Sequence, residues 1–317
     1  MSETIKERSE ILFVYQVKDA NPNGDPLDGN APRTDPETGV ATVTDVRIKR
    51  WIRDYWKDRK SLQIWIDEGQ NENGFLEQGF ERFEKLMKAA GKDPGSIKNK
   101  EKLQEAINFV KDNWIDVRTF GSVMPTSGKE NKTPTITLTG PVQFSGFNRS
   151  FHRVQPMVIQ GTAAFASNGK SYQRSFREDH ILPYACIGVY GVINELAART
   201  TGMTEADRKL LLEGLWYGSM DMISRSKVGH LPLILIHIRY KDGYRIGDLA
   251  QLIDFVHELD DEKLRGPEDF KLGLIRLQDA ISNAGDKVTS VEYKYDTRLI
   301  FDGLKPDQLP KSEILEI

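Results

Sequence analysis

The first sustained apolar run, ILFVYQV at 11 to 17, is short and rich in β-formers, so it predicts a buried strand. The period changes after Thr42 and Thr44, either of which can cap a helix over DVRIKRWIRDYWKDRK. At about 100° per residue, Ile48, Trp51, Ile52, Tyr55 and Trp56 fill one continuous arc, and Arg47, Lys49, Arg50, Arg53, Lys57 and Lys60 fill the other. One side packs and the other is cationic. Asp54 is the acid inside the cationic arc, so the pattern predicts poor internal neutralisation.

Between strand and helix, residues 18 to 43 carry Asn-Pro, Asn-Gly and further X-Pro steps, each a turn signal. A connection that long between two strong elements points to function. Beyond the helix, FLEQGFERFEKLMKAA and KLQEAINFVKDNW have helical spacing, which predicts an inserted helical lobe over 61–113. DVRTFGSVM (116 to 124) and TITLTGPVQF (135 to 144) alternate like strands, with SGKENKTP connecting them. A basic stretch with a β-like middle, VQPMVIQGTAAF, then predicts a protruding hairpin.

ILPYACIGVYGVINEL returns to the core, Thr204, Glu205 and Asp207 open a helix over RKLLLEGLWYGSMDMI, and LPLILIHIRY reads as a central strand. After about Asp242 the chain turns acidic, with two further helices and a strand at VTSVEYKYDTRL expected. The order fits an α+β fold: a modified RNA-recognition-motif, or ferredoxin-like, sheet with large insertions. Its palm would span 1–60 and 114–317, with a thumb at about 146–180.

Charge sharpens this picture. The net charge of −3 is unevenly spread. Asn131 to Arg177 holds six cations and no Asp or Glu; Ala41 to Lys60 and Met222 to Lys241 each add +4. The three stretches carry +14, which leaves −17 on the rest. If they converge, they form a cationic surface on an acidic body, the footprint of a polyanion partner. The lone Cys186 allows no internal disulfide, and the apolar run LPLILIHI is far short of the roughly 20 residues that cross a bilayer. A cytoplasmic protein with no membrane partner is expected.

Catalytic motifs are absent: no GxSxG, Walker, HExxH, protein-kinase or GxGxxG pattern occurs. His152 and His180 flank the basic stretch and suit acid/base chemistry in RNA cleavage, although two His 28 residues apart are more often ordinary loop or core residues. Asp25, Asp28 and Asp35 offer oxygen ligands to a divalent cation, but Asp beside Pro and Gly is also ordinary turn chemistry. Cys186 sits in an apolar context that predicts inert core.

NPNGDPLDGNAPRTDPETGVATVTDVRIKRWIRDYW, with DVRTFGSVM and GPVQFSGFNRSFHRV, resembles the seventh Cas family of the CRISPR-associated RAMP superfamily. That family supplies the backbone subunit of type I Cascade complexes, and the likeness is closest to subtypes I-B and I-C. The resemblance implies a hand-shaped, non-catalytic protein, without a cofactor or metal, whose copies line up along CRISPR RNA. Its partners would be that RNA, target DNA paired to it, neighbouring copies and the other Cascade subunits: large, small and the RAMP subunit capping the RNA 5′ end.

Carried onto this chain, the resemblance puts the loop of Asn21, Asn23 and Asp25, with Arg33, against RNA, and Arg47, Lys49 and Arg50 on its phosphates. Arg118, Phe120 and Gly121, and Ser226 with Lys227, match further contact positions; Arg149 and Arg153 belong to the basic stretch. Met157 and Ile159 are the candidates to wedge between nucleotides. Two other readings remain open: a metal-dependent ribonuclease of the same superfamily using Asp25 or Asp35, and an RNA-processing enzyme using His152 or His180.

Overall fold

The computed structural model describes residues 3–70, 73–93, 100–126, 135–166, 174–222 and 224–317, with backbone only along 162–166 and 174–177. The whole of the expected connector SGKENKTP with its Lys132, the cation Lys170 and the hairpin tip lie outside the described residues. In chain order the strands and helices begin with β1 (Arg8–Ala20), β2 (Gly24–Asp25), β3 (Ala31–Pro32), β4 (Val40–Thr44) and α1 (Asp45–Lys60). The lobe follows with α2 (Gly79–Ala89), α3 (Lys100–Asn113), α4 (Ile115–Phe120), β5 (Gly121–Met124) and β6 (Ile136–Thr139). Next come β7 (Val142–Phe144), β8 (Phe147–Arg153), β9 (Met157–Ala166), β10 (Arg174–Ile193), α5 (Glu195–Thr201), α6 (Glu205–Met220) and β11 (His230–Tyr240). The last elements are β12 (Asp254–Val256), β13 (Lys271–Gly273), α7 (Ile275–Ala284), β14 (Val288–Tyr295) and β15 (Ser312–Ile314).

β1 reads as a continuous apolar run because both of its faces are covered. Ile11, Phe13, Tyr15 and Val17 enter one apolar layer, and Leu12 and Val14 enter another. The strand pairs antiparallel with β10 and β11, and β10 pairs antiparallel with β8. The order β11-β1-β10-β8, with α1 and α6 on one face, is the ferredoxin-like arrangement the sequence predicts. β4 extends one edge, and β14 followed by a parallel β15 extends the other, so the sheet is mixed.

On the helical face, Ile48, Trp51, Ile52 and Trp56 of α1 pack with Phe13, Tyr15, Leu211 and Leu215. Thr44 is the cap of α1. The two helices come close at Gly218, where a Cβ would lie 2.9 Å from the Trp51 carbonyl oxygen. α6 opens with a reciprocal capping box between Thr204 and Asp207, as expected.

The opposite face is covered by the chain after Asp242. Leu249, Phe270, Leu272, Leu277 and Ile281 pack there with Leu12, Val14, Tyr184 and Cys186. Fully buried Glu10 clamps this cover: it accepts from the Tyr190 hydroxyl and, at 2.8 Å each, from the N–H groups of Ile246 and Gly247. An RNA-recognition motif stacks bases on its open sheet face. Here that face is core, so any nucleic acid must lie elsewhere.

Two local expectations change. The alternation in DVRTFGSVM predicts one strand, but Ile115–Phe120 is helical and only Gly121–Met124 is strand. Asp116 fixes this segment: its carboxylate accepts from Trp65 N and Ile66 N at 2.9 Å each and pairs with Arg53 at 3.0 Å. Gly121, at φ 74°, ends the helix where a Cβ would strike the Leu138 carbonyl at 2.3 Å. In the tail, one α-helix, α7, forms where two helices are expected; residues 249–269 instead carry short 3-10 turns and the strand β12.

The lobe has a small core of its own. Trp65 stacks on Trp114 at 5.3 Å, and Phe83 and Val110 join them. Val117, Met124 and Ile136 complete it, so its packing continues beyond residue 113. The thumb is a β9–β10 hairpin: Met157 opposes Ile181 and Ala166 opposes Arg174. β1 stops pairing with β10 at Leu182, and from there towards Arg174 the strand leaves the main sheet with β9 as its partner. No described helix is long and apolar enough to cross a membrane.

Candidate nucleic-acid interface

The cationic arc of α1 is more neutralised than its sequence implies. Lys49 pairs with Asp45, Arg50 with Asp54, Arg53 with Asp116, Lys57 with Asp67, Arg59 with Asp221 and Lys60 with Glu213, all between 2.6 and 3.0 Å. Four of these acids come from outside the helix, where helical spacing cannot see them. Arg47 is the α1 cation with no carboxylate partner among the described residues. Its guanidinium contacts Met222 Sδ, its buried Nε has no hydrogen-bond partner, and burial lowers its pKa.

Facing Arg47 is Lys227, half-buried in the turn before β11. Burial, reinforced by the charge of Arg47, pushes the Lys227 ammonium down to about 7. His230 lies beneath them with its Nδ1 2.7 Å from the Lys227 carbonyl, and burial and the Lys227 charge lower its pKa to about 3. The ring of His230 stacks on Tyr15, whose buried hydroxyl burial keeps protonated. The site is therefore positive, and among the described residues no carboxylate pairs with Arg47 or Lys227. Two desolvated like charges raise each other's energy, and an anion between them removes that cost.

The 18–43 connection builds the rim. It is not one open loop: β2 and β3 form a small hairpin and β4 is an edge strand. Asn21 N donates to the Ser226 carbonyl at 2.8 Å, and Lys227 Nζ donates to the Asn21 carbonyl. Asn23 Oδ1 accepts from both Thr44 N and Thr44 Oγ1 at 2.9 Å, which seats the loop on the start of α1. Arg33 pairs with Asp25 at 3.0 Å across the small hairpin. The structure thus brings together Asn21, Asn23, Arg47, Ser226 and Lys227, with Arg33 in the same loop.

Other expected contact residues sit differently. Arg118 is bidentate to Asp207, at 2.8 and 3.1 Å, and donates to the Lys111 and Asp112 carbonyls, so its donors serve α6 and the lobe. Phe120 is buried under Trp56, with Arg53 5.0 Å and Lys49 5.7 Å from its ring centre. Arg50 faces acids of the lobe entrance, Asp67 and Glu68, besides Asp54. Arg149 and Arg153 are exposed on β8, where they pair with Thr42 and Val40 of β4. Met157, Val158 and Ile159 are 49%, 54% and 43% exposed near the root of the thumb. The residues that sequence reasoning missed are Tyr15, Met222 and His230; an apolar strand position, a Met and a lone His carried no signal.

Of the residues proposed for catalysis, His152, Asp25 and Asp35 have side chains engaged in structure. His152 is buried between the rings of Tyr184 and Phe255; its Nδ1 meets the Arg153 carbonyl at 2.8 Å and its Nε2 accepts from Cys186 N at 3.2 Å. That pairing defines a neutral ring, and burial lowers its pKa. Asp25 accepts from Leu27 N and from Arg33, and Asp35 accepts from Glu37 N and Thr38 N, the turn chemistry of Asp. Among the described residues, no three His, Cys, Asp or Glu gather as a metal-binding set. Cys186 is buried, and burial raises its pKa well above the ordinary thiol value, as inert core requires.

Fold and site define a ferredoxin-like α+β protein whose sheet face is closed and whose rim carries a partly buried pair of cations with no carboxylate partner among the described residues. The family model for CRISPR-associated protein Cas7 matches residues 7–275, and the chain belongs to that family. It is 27% identical over 315 residues to the CRISPR-associated protein Cas7 of Haloferax volcanii (strain ATCC 29605), covering 94% of this chain and 90% of that one. Its fold is similar to a chain of a CRISPR RNA-guided surveillance complex in a pre-nicking state, with a TM-score of 0.57 at 13% identity over 97% and 96% of the two chains. A second CRISPR RNA-guided surveillance complex chain matches with a TM-score of 0.52 at 13% identity, over 96% and 94%.

Proposed function

We propose that this chain binds CRISPR RNA as a backbone subunit of a Cascade surveillance complex, lining up with its own copies and presenting the guide to target DNA. The carrying observation is the Arg47–Lys227 pair: two desolvated cations with no carboxylate partner among the described residues, at the rim of a Cas7-family palm. Such a pair binds phosphate without reading sequence, which suits a protein that must hold any guide and leave specificity to base pairing. Asn21, Asn23, Arg33 and Ser226 shape the groove around it, and Arg149 and Arg153 provide a second positive strip on β8. The thumb of one copy reaches RNA held by the next, so association is head-to-tail and open. The chain acts as a scaffold and not as a nuclease; the other Cascade subunits meet it at the ends of the array.

Purified protein is mixed with labelled CRISPR RNA and magnesium, then sized by chromatography with light scattering. Retention of intact RNA, in oligomers that grow with RNA length, supports the backbone role. Cleavage supports the ribonuclease alternative. A protein that remains monomeric on a long guide at low salt removes the assembly reading.

A further inference from the structure

Asn21 is 1% exposed and stands where the palm groove meets the thumb. Its N–H donates to Ser226 O at 2.8 Å and its carbonyl accepts from Lys227 Nζ. Its side-chain Nδ2 donates to Asn30 O at 2.7 Å and to His180 O at 3.2 Å. His180 opposes Val158 in the thumb hairpin. The same turn makes a second tie to the thumb root, the Arg225–Asp179 ion pair at 3.2 Å.

Lys227 therefore has two possible acceptors: the neutral Asn21 carbonyl, and a phosphate placed between it and Arg47. The charged acceptor makes the shorter and stronger bond. We infer that Asn21 is a positioning residue that couples the palm to the thumb: phosphate in the palm draws Lys227 off the Asn21 carbonyl, and the hold of Asn21 on His180 changes with it. This inference rests on the RNA-binding reading. What it adds is that a subunit's own palm sets the thumb it extends to its neighbour, which would make each bound copy prepare the next. A coupling claim of this kind needs one element biased by both sites, and Asn21 is that element.

The test is amide hydrogen exchange at 157–161 and 178–181, with and without an RNA oligonucleotide too short to hold two copies. In the wild type, RNA shifts exchange at these amides several-fold. In Asn21→Ala, with RNA raised until the weakened binding saturates, the shift is lost. Lys227→Met, free of RNA, already exchanges at the RNA-bound wild-type rate; because this side chain is only half-buried, the variant decides the matter even if Asn21→Ala does not fold. The coupling is overturned by wild-type binding without a shift, by an undiminished shift in Asn21→Ala, or by Lys227→Met exchanging like free wild type. Absence of any RNA binding by the wild type overturns the functional reading itself, and the coupling with it.

Discussion

Arg47 and Lys227 hold two positive charges against each other at the rim of the palm, and among the described residues no carboxylate pairs with either. Every other cation of α1 has an acidic partner. The contrast separates a charge kept for a ligand from charges that hold the fold together. It also orders the cationic residues by expected effect, which the sequence alone could not do.

Arg47→Ala is expected to weaken RNA binding by roughly ten- to a hundredfold, since a charge-assisted bond contributes about 1.5–3 kcal/mol. The loss should be the same for all guide sequences, and the salt slope should flatten by about 0.7 per lost phosphate contact on a single strand. Filter binding across a salt series measures both. An unchanged slope in a folded variant would mean that phosphate does not reach Arg47.

Lys227 gives a pH signature with opposite signs for binding and for stability. The folded protein holds its ammonium near 7, whereas in the unfolded chain it titrates at the ordinary 10.5. Between those values the unfolded chain binds more protons, so the free protein gains stability as pH rises from about 7 towards 10.5, and this gain is absent below 7. RNA prefers the charged form, so affinity should fall as pH rises through and above about 7. Lys227→Arg stays charged and should bind with a flat profile over the same range. Parallel profiles in the two proteins would dismiss Lys227 as the titrating group.

Arg118 provides the control. It bridges Asp207, a member of the α6 capping box, to two lobe carbonyls. Arg118→Ala should lower the melting temperature, consistent with about 1–3 kcal/mol for breaking a partly buried charged network. It should leave the salt slope of RNA binding unchanged. A lost phosphate contact without lost stability would return Arg118 to the interface.

The elements most legible in the sequence were those whose signal is local. α1 was read from its apolar arc because Ile48, Trp51, Ile52 and Trp56 all face the same layer. β1 was read from its unbroken apolar run, and the Thr204 box from its spacing. What escaped reading was tertiary. Asp67, Asp116, Glu213 and Asp221 neutralise α1 from segments 7 or more residues beyond its end, so the helix looked more cationic than it is. DVRTF alternates, yet folds as a helix because buried Asp116 needs the donors of Trp65, Ile66 and Arg53. Ser226 and Lys227 were reached through family resemblance; His230 and Tyr15 became visible only once β1 and β11 were seen side by side.

Acid should unfold the protein through its buried neutral histidines. Burial lowers the pKa of His152 and takes His230 to about 3, whereas in the unfolded chain both take protons near 6.5. A depressed histidine pKa contributes stability above 6.5 that is lost as pH falls towards the folded value. Urea midpoints should therefore drop steadily from pH 6.5 to 4. A midpoint that holds constant over that range would show that both rings already accept protons in the fold.

The thumb root offers a test of geometry as well as of chemistry. Met157, Val158 and Ile159 are consecutive and all exposed, but strand alternation puts Met157 and Ile159 on one face and Val158 on the other. A wedge between nucleotides needs apolar side chains aimed at the RNA from a single face, while phosphate contacts elsewhere carry the affinity. Replacing Met157 and Ile159 together by Gly should leave RNA binding within severalfold of wild type. It should also abolish the periodic bright positions of 2-aminopurine placed successively along the guide, which mark unstacked bases. Val158→Gly, on the opposite face, should keep the periodic pattern. Loss of the pattern in Val158→Gly but not in the double variant would reverse the face that meets RNA, and an unchanged pattern in both would move the wedge away from the root of the hairpin.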